Sequence, residues 1–279
     1  SLFNGVLMRL KSLLCGLSVL AFSALAQAQT AAYIRGATKP WGQSTNESAM
    51  NLAFGAGNWS DLTMAGGVGP FLAGSGYRFI YLEGSDATAI ELNGYLTANR
   101  VQIEAFVNAG GNLLLNSAPN GGGNINFGFG GVTLTNAVFT RSVTAFDVTH
   151  PVFIGPATPV VTSYTGGSFG HAVVGGGLTS IIIGAPGDPG AGQTVLGEKS
   201  FGAGCVVFGG MTTDNFHLPQ PQAHNLRANI LTYGAAGCKA LAPVQPVSVP
   251  VGGPFVHLLM VFGLAGLGAF SFRRRSFKA

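Results

Sequence analysis

The chain has 279 residues, 47% of them hydrophobic and only 9% charged, which excludes the charge-rich, apolar-poor profile of a disordered protein. Its 44 glycines follow no three-residue period, which excludes collagen and implies a loop-rich or strand-rich domain. The net charge of +4 sits at the ends, where Arg9, Lys11, Arg273, Arg274, Arg275 and Lys278 are six of the 14 basic residues; residues 29–247 are weakly acidic, and nucleic-acid binding loses its support.

From Met8, Met-Arg-Leu-Lys precedes an apolar run from Leu13 to Leu25 and the small residues of Ala26-Gln27-Ala28. A basic start, a short apolar stretch and small residues at the cleavage positions describe a secretory signal peptide over residues 1–28, cut by signal peptidase after Ala28, with Met8 as its start. Cys15 follows Leu14 inside the apolar run and does not fit the lipidated-cysteine pattern.

One α/β domain is expected over residues 31–238. Tyr33–Arg35 opens as a strand, and Ser44 and Glu47 have the spacing of a capping box before a helix that stops at Gly55. A short strand at 61–64 and a helical piece at 71–75 precede the buried run 78–82. Apolar residues near a 3.6 period from Ile90 to Val107 predict a helix that stops at Gly110-Gly111, and Asn112–Asn116 follows as another buried strand. Strands alternating with amphipathic helices call for a mostly parallel sheet with helices on both faces. From Asn116 to Gly177 the Gly- and Thr-rich texture predicts a β insertion. A strand at 181–183, a hairpin of 195–200 with 205–208, and a final helix from Pro221 complete the domain.

Beyond it, residues 239–254 form a proline-punctuated linker, 255–272 an apolar stretch and 273–279 a basic tail. Eighteen residues at about 1.5 Å rise span roughly 27 Å, enough for a transmembrane helix with the arginines on the cytoplasmic side. His257 lies close enough to the outer boundary to snorkel. The order of Pro motif (Val249, Pro250), helix and Arg273, Arg274, Arg275 resembles the PEP-CTERM and IPTL-CTERM sorting signals, although the Glu between prolines is absent. That resemblance implies a bacterial envelope protein, an exosortase-like transpeptidase as partner, a single-pass inner-membrane intermediate and delivery to the cell surface or outside the cell.

The stretches RFIYLEG, IEAFVNAGGNLLLNSAPN, HPVF and FGAGCVVFGGMTTDNFH resemble the class I glutamine amidotransferase-like superfamily in its broad sense, including ThuA-like non-catalytic domains. The resemblance implies a flavodoxin-like sandwich. The turns Glu83-Gly84-Ser85 and Asn116-Ser117-Ala118-Pro119 lack the nucleophilic cysteine of true amidotransferases, so glutaminase activity is not expected, nor any cofactor.

Gly166-Gly167-Ser168-Phe169-Gly170 matches G-x-S-x-G, but no helix follows the serine, so the match has no mechanical meaning. Cys205 and Cys238, the thiols left after export, form either a disulfide or two buried free thiols. In an open parallel sheet, ligands sit beyond the carboxyl ends of the strands. Glu83, Asp86, Asn116, Ser117, Asp214 and His217 fall there, with Arg35, and could bind a divalent cation or, with Trp41, a carbohydrate. In the local alternative, Asp86 and Asp214 serve turns and His217 is packed in a loop. His224 is expected at the surface or partly packed. The leading expectation is a surface-sorted envelope protein with a non-catalytic binding or structural role, with a carbohydrate or matrix ligand. The second is a hydrolase or carbohydrate-active enzyme using the loop carboxylates.

Overall fold

The computed structural model describes residues 30–239. Strand β1 (Ala31–Arg35) leads to helix α1 (Thr45–Phe54), β2 (Trp59–Thr63), β3 (Phe79–Glu83), α2 (Ala89–Asn108) and β4 (Asn112–Asn116). The chain continues through β5 (Ile125–Gly128), β6 (Val132–Ala145), β7 (Ser163–Gly175), β8 (Thr179–Gly184), β9 (Thr194–Phe201), β10 (Gly204–Gly209) and β11 (His217–Leu218) to α3 (Gln222–Ala235).

Ser44 is the N-cap of α1 but makes no side-chain cap bond. Lys39 intercepts both members of the expected box, with Nζ 2.9 Å from Ser44 Oγ and 2.8 Å from Glu47 Oε1. The predicted helical piece at 71–75 is reduced to a single 3-10 turn, Gly69–Phe71, because Pro70 starts a turn that Gly74 and Gly76, both at positive φ, cannot extend.

All eleven strands join one sheet, in the order β11-β7-β6-β8-β9-β10-β4-β3-β1-β2, with β5 paired to β6. Four of its ten pairings are parallel and six antiparallel. This corrects the expected flavodoxin-like, mostly parallel sheet. The Gly- and Thr-rich stretch does not stand beside a parallel sheet; its long strands β6 and β7 pair antiparallel, and β8 and β9 carry that meander onto β10. Parallel pairing is confined to β2, β1, β3, β4 and β10.

Alternate residues of these parallel strands feed two cores, as the period-2 geometry requires. Tyr33, Tyr81, Leu114 and Val207 face Met50 of α1 and Leu226 and Ile230 of α3. Ile34, Leu82, Leu115 and Phe208 face Leu92, Leu96 and Ile103 of α2. Gly84 lets α2 come down onto β3, since a Cβ there would lie 2.3 Å from Leu92 Cβ. Cys205 and Cys238 are joined by a disulfide with Cα atoms 6.0 Å apart, which ties the start of β10 to the chain just after α3.

Among the described residues no helix is long and apolar enough to cross a membrane. The expected transmembrane helix, single-pass inner-membrane intermediate, signal-peptidase and exosortase-like processing and surface localisation find no counterpart among the described residues. The segments that suggested them, residues 1–28 with the signal peptide, Val249 and Pro250, 255–272, and Arg273, Arg274 and Arg275, lie outside the described residues.

Candidate functional site

Strands β2 and β3 flank β1 on opposite sides, so the direction of strand addition reverses at β1. In sheets of this kind the crevice opens at the carboxyl ends of the strands where that reversal occurs. The loop after β1, the N-terminus of α1 and the residues after β3, β4 and β10 meet there.

The innermost layer is a buried polar network. Glu83, at the end of β3, is 1% exposed; its Oε2 accepts from Tyr81 Oη at 2.7 Å and from Asn116 Nδ2 at 2.8 Å. Burial pushes the Glu83 carboxyl above the usual carboxylate range, against bonds from Ser85, Tyr81 and Asn116 and the charge of Arg227. Asn116 also binds Met211 through both backbone groups, which locks β4 to the turn after β10. Ser117 Oγ donates to the Gly84 carbonyl at 2.6 Å. Arg227 of α3, 2% exposed, donates to Tyr81 Oη and the Thr212 carbonyl and supplies the positive charge of this interior.

A second layer lies between α1 and α3. Asp214, which begins the 3-10 turn Asp214–Phe216, is 2% exposed, and its Oδ2 stands 2.6 Å from His224 Nδ1. Burial drives the Asp214 carboxyl up, but the bond from His224 and the charges of Arg227 and His224 outweigh it and hold it below the usual range. An ionised carboxylate only accepts, so His224 Nδ1 donates, and the neutral ring then offers Nε2 as acceptor. That nitrogen is 3.2 Å from the hydroxyl of Ser48, an exposed residue of the first turns of α1. The bond to Asp214 raises the His224 pKa, over burial and the repulsion of Arg227. Asp214 Oδ1 is buried with no hydrogen-bond partner.

His217 behaves differently. It stacks on Phe169 at 3.9 Å and bonds Thr212 Oγ1 at 2.9 Å. Burial, with the charge of Arg227, lowers its pKa to about 3, so it stays neutral.

The outer layer is aromatic. The ring of Trp41 packs edge-on against His171 at 5.6 Å and Phe216 at 5.7 Å, and Phe139 also meets His171, at 5.0 Å. Phe139 and Phe216 are 44% and 39% exposed, and Trp41 is half-buried. Trp41 (φ 48°) and Asp86 (φ 54°) both adopt the left-handed region, and the Trp41 N–H donates to Asp86 Oδ2 at 3.2 Å. Such backbone costs about 1–3 kcal/mol per residue and persists where surroundings enforce it, often at functional sites. Asp86 Oδ1 accepts from Asn120 at 2.7 Å. Thr45 Oγ1 reaches Asn215 Oδ1 at 3.3 Å, so the start of α1 is tied to the turn that carries both Asp214 and Phe216.

Of the residues expected at this edge, Glu83, Asn116 and Ser117 come together in the buried network, Asp86 lies on its outer side, and Asp214 and His217 flank Arg227. Arg35 is turned away, forked onto Asp61 with both bonds at 3.0 Å. Ser168 stays within β7, with strand and no helix after it. Sequence reasoning missed Ser48 and read His224 as surface or partly packed, which its intermediate burial matches, without giving it a partner; 176 positions separate the two, so no local motif joins them. A groove of about 650 Å3 lined by Phe71, Tyr77, Arg78 and Phe106 lies at the opposite edge, where β3 and β4 begin, away from these groups.

No protein-family model and no curated protein matches the chain. Among solved structures it is similar to a cold-adapted β-galactosidase from Rahnella sp. R3, at 15% identity and TM-score 0.45 over 77% of this chain and 32% of that one. It is also similar to an exo-β-1,4-mannosidase from an Opitutaceae bacterium, at 16% identity and TM-score 0.39 over 80% of this chain and 37% of that one. A third is a cytoplasmic protein from Salmonella typhimurium, at 13% identity and TM-score 0.40 over 73% and 98%. The chain spans about a third of the length of the two glycosidases. The expected class I glutamine amidotransferase-like, ThuA-like family is corrected on the sheet, which is mixed where the flavodoxin-like sandwich implied a mostly parallel one, and no family model matches. The expectation of a non-catalytic envelope protein is corrected toward its alternative, on the buried Glu83 and Asp214 carboxylates and the Asp214–His224 pair.

Proposed function

We propose that this chain is a carbohydrate-active hydrolase working at the carboxyl edge of its parallel strands. The observation that carries this reading is the aromatic surface of Trp41, Phe139 and Phe216, bordered by Asp86 and Asn120 and continuous through the 214–216 turn with the charged Asp214–His224 pair. Flat, partly exposed rings beside a few fixed polar groups suit a ligand with apolar C–H faces and hydroxyl edges, which is the chemistry of a sugar ring. The neutral His171 at the edge of Trp41 fits the same purpose: burial lowers its pKa, outweighing the Nδ1 bond to the Pro119 carbonyl at 3.2 Å, so the floor carries no fixed positive charge. The glycosidases named above act on carbohydrate; that agreement is consistent with the reading and does not carry it.

The test is turnover of a panel of acylated and plain oligosaccharides and nitrophenyl glycosides by the full chain and by Trp41→Ala. Turnover of a carbohydrate substrate is expected, with KM raised severalfold to about tenfold in the variant, the equivalent of about 1 kcal/mol of ring stacking. No turnover and no tryptophan fluorescence change with any of these compounds would refute it.

A further inference from the structure

Resting on that reading, we propose that the bond broken is an ester on the carbohydrate: the site removes acyl groups, with Ser48 as nucleophile, His224 as its base and Asp214 as the group that orients the base. Glycosidic cleavage by the common route needs two carboxyl groups flanking the bond in an accessible cleft, roughly 5–9.5 Å apart. Glu83 and Asp214 are 1% and 2% exposed, and Asp86 has both oxygens engaged by Trp41 and Asn120. What reaches the surface instead is a hydroxyl. Asp214 Oδ2, His224 and Ser48 Oγ form a line of two hydrogen bonds, 2.6 Å and 3.2 Å, in which each side chain holds the next. That is the nucleophile, base and orienter order by which an unreactive serine is activated.

The chemistry balances with water as the only co-reactant. Ser48 Oγ bonds to the acyl carbon as its proton passes to His224 Nε2. The ester C–O bond breaks, and the sugar oxygen leaves with that proton. Water, deprotonated by His224, then attacks the acyl-serine, the Ser48 bond breaks, and Ser48 recovers the proton; the products are the sugar alcohol and the acid. Two features of α1 help. Its side chains tilt toward the helix N-terminus, and the first N–H groups there have no intrahelical acceptor. Ser44 makes no cap bond to them, being held by Lys39 instead, so the Ser44 side chain does not occupy them.

The experiment exposes the full chain to a fluorophosphonate probe and, separately, to an acetylated oligosaccharide, alongside Ser48→Ala and His224→Gln. Ser48 is exposed on a helix, where alanine is well tolerated, so the first variant retains its fold. The proposal expects the probe on Ser48 and acetate release reduced at least about a thousandfold by Ser48→Ala. Acetate release unchanged in Ser48→Ala, or a probe bound elsewhere, would overturn it. Glycosidic cleavage shared by wild type and Ser48→Ala would overturn the acyl-transfer step and leave the carbohydrate hydrolase standing, whereas no binding or turnover of any carbohydrate would sink both.

Discussion

Asp214→Asn keeps the shape of a buried side chain and removes the charge that His224 faces. The 2.6 Å bond between them is an ion pair while His224 is protonated, and a bond from a neutral ring to a carboxylate once it is not. Hydrogen bonds to charged groups contribute about 1.5–3 kcal/mol; His224 keeps 25% of its side-chain surface in solvent, which brings the expectation down to about 1–2 kcal/mol. The His224 pKa is raised in the fold, so its contribution is complete below the unfolded histidine value of about 6.5 and fades as pH rises through the higher folded value. The Asp214 pKa is lowered, so its own contribution persists above about 3.8 and is lost only as pH falls through the folded value. Between these limits the variant costs most near pH 6 and less near pH 9, where the ion pair is gone and only the bond from the neutral ring to the carboxylate is exchanged for one to an amide. Urea denaturation of wild type and variant at both pH values reads this directly. An equal loss at both would refute the claim that a histidine–carboxylate ion pair links α3 to the 214–216 turn.

Other consequences follow from packing and covalent structure. Gly84→Ala sets a methyl group 2.3 Å from Leu92 Cβ and is expected to cost about 1–3 kcal/mol in denaturant melts, with α2 shifted away from β3. Cys205→Ala with Cys238→Ala opens a loop of sequence separation 33 and is expected to remove about 3–4 kcal/mol, read as a lowered denaturation midpoint without loss of the far-ultraviolet dichroism. Turnover is expected to fall as pH drops through a value above that of an ordinary histidine, since His224 must be neutral to accept a proton; in Asp214→Asn the same limb moves to lower pH.

The elements that local pattern specifies were legible in the sequence. Leu113, Leu114 and Leu115 form an apolar run bounded by asparagines, and the strand is Asn112–Asn116. The periodic stretch from Ile90 to Val107 is the body of the helix Ala89–Asn108. Pairing partners are another matter. Side-chain alternation in β6 states that one face is buried but not that β7 and β8 lie on its two sides, and the sheet is mixed because of those long-range choices. Glu83 and Asn116 could be placed at strand ends because an apolar run stops there. Arg227 could not be placed in the interior, since nothing in a helix reading Gln-Ala-His-Asn-Leu-Arg announces that its cation answers Glu83 and Asp214. Ser48 and His224 meet only because α1 and α3 pack on the same face, a tertiary fact without a sequence signature.

The most direct measurement is the mass of the intact protein, and of its Ser48 peptide, during turnover of an acetylated oligosaccharide quenched at short times. An acetyl group on Ser48 that forms and decays in step with acetate release, and is missing from His224→Gln, is the predicted result. Acetate release with Ser48 unmodified throughout, or an acetyl group held on a different side chain, would contradict it.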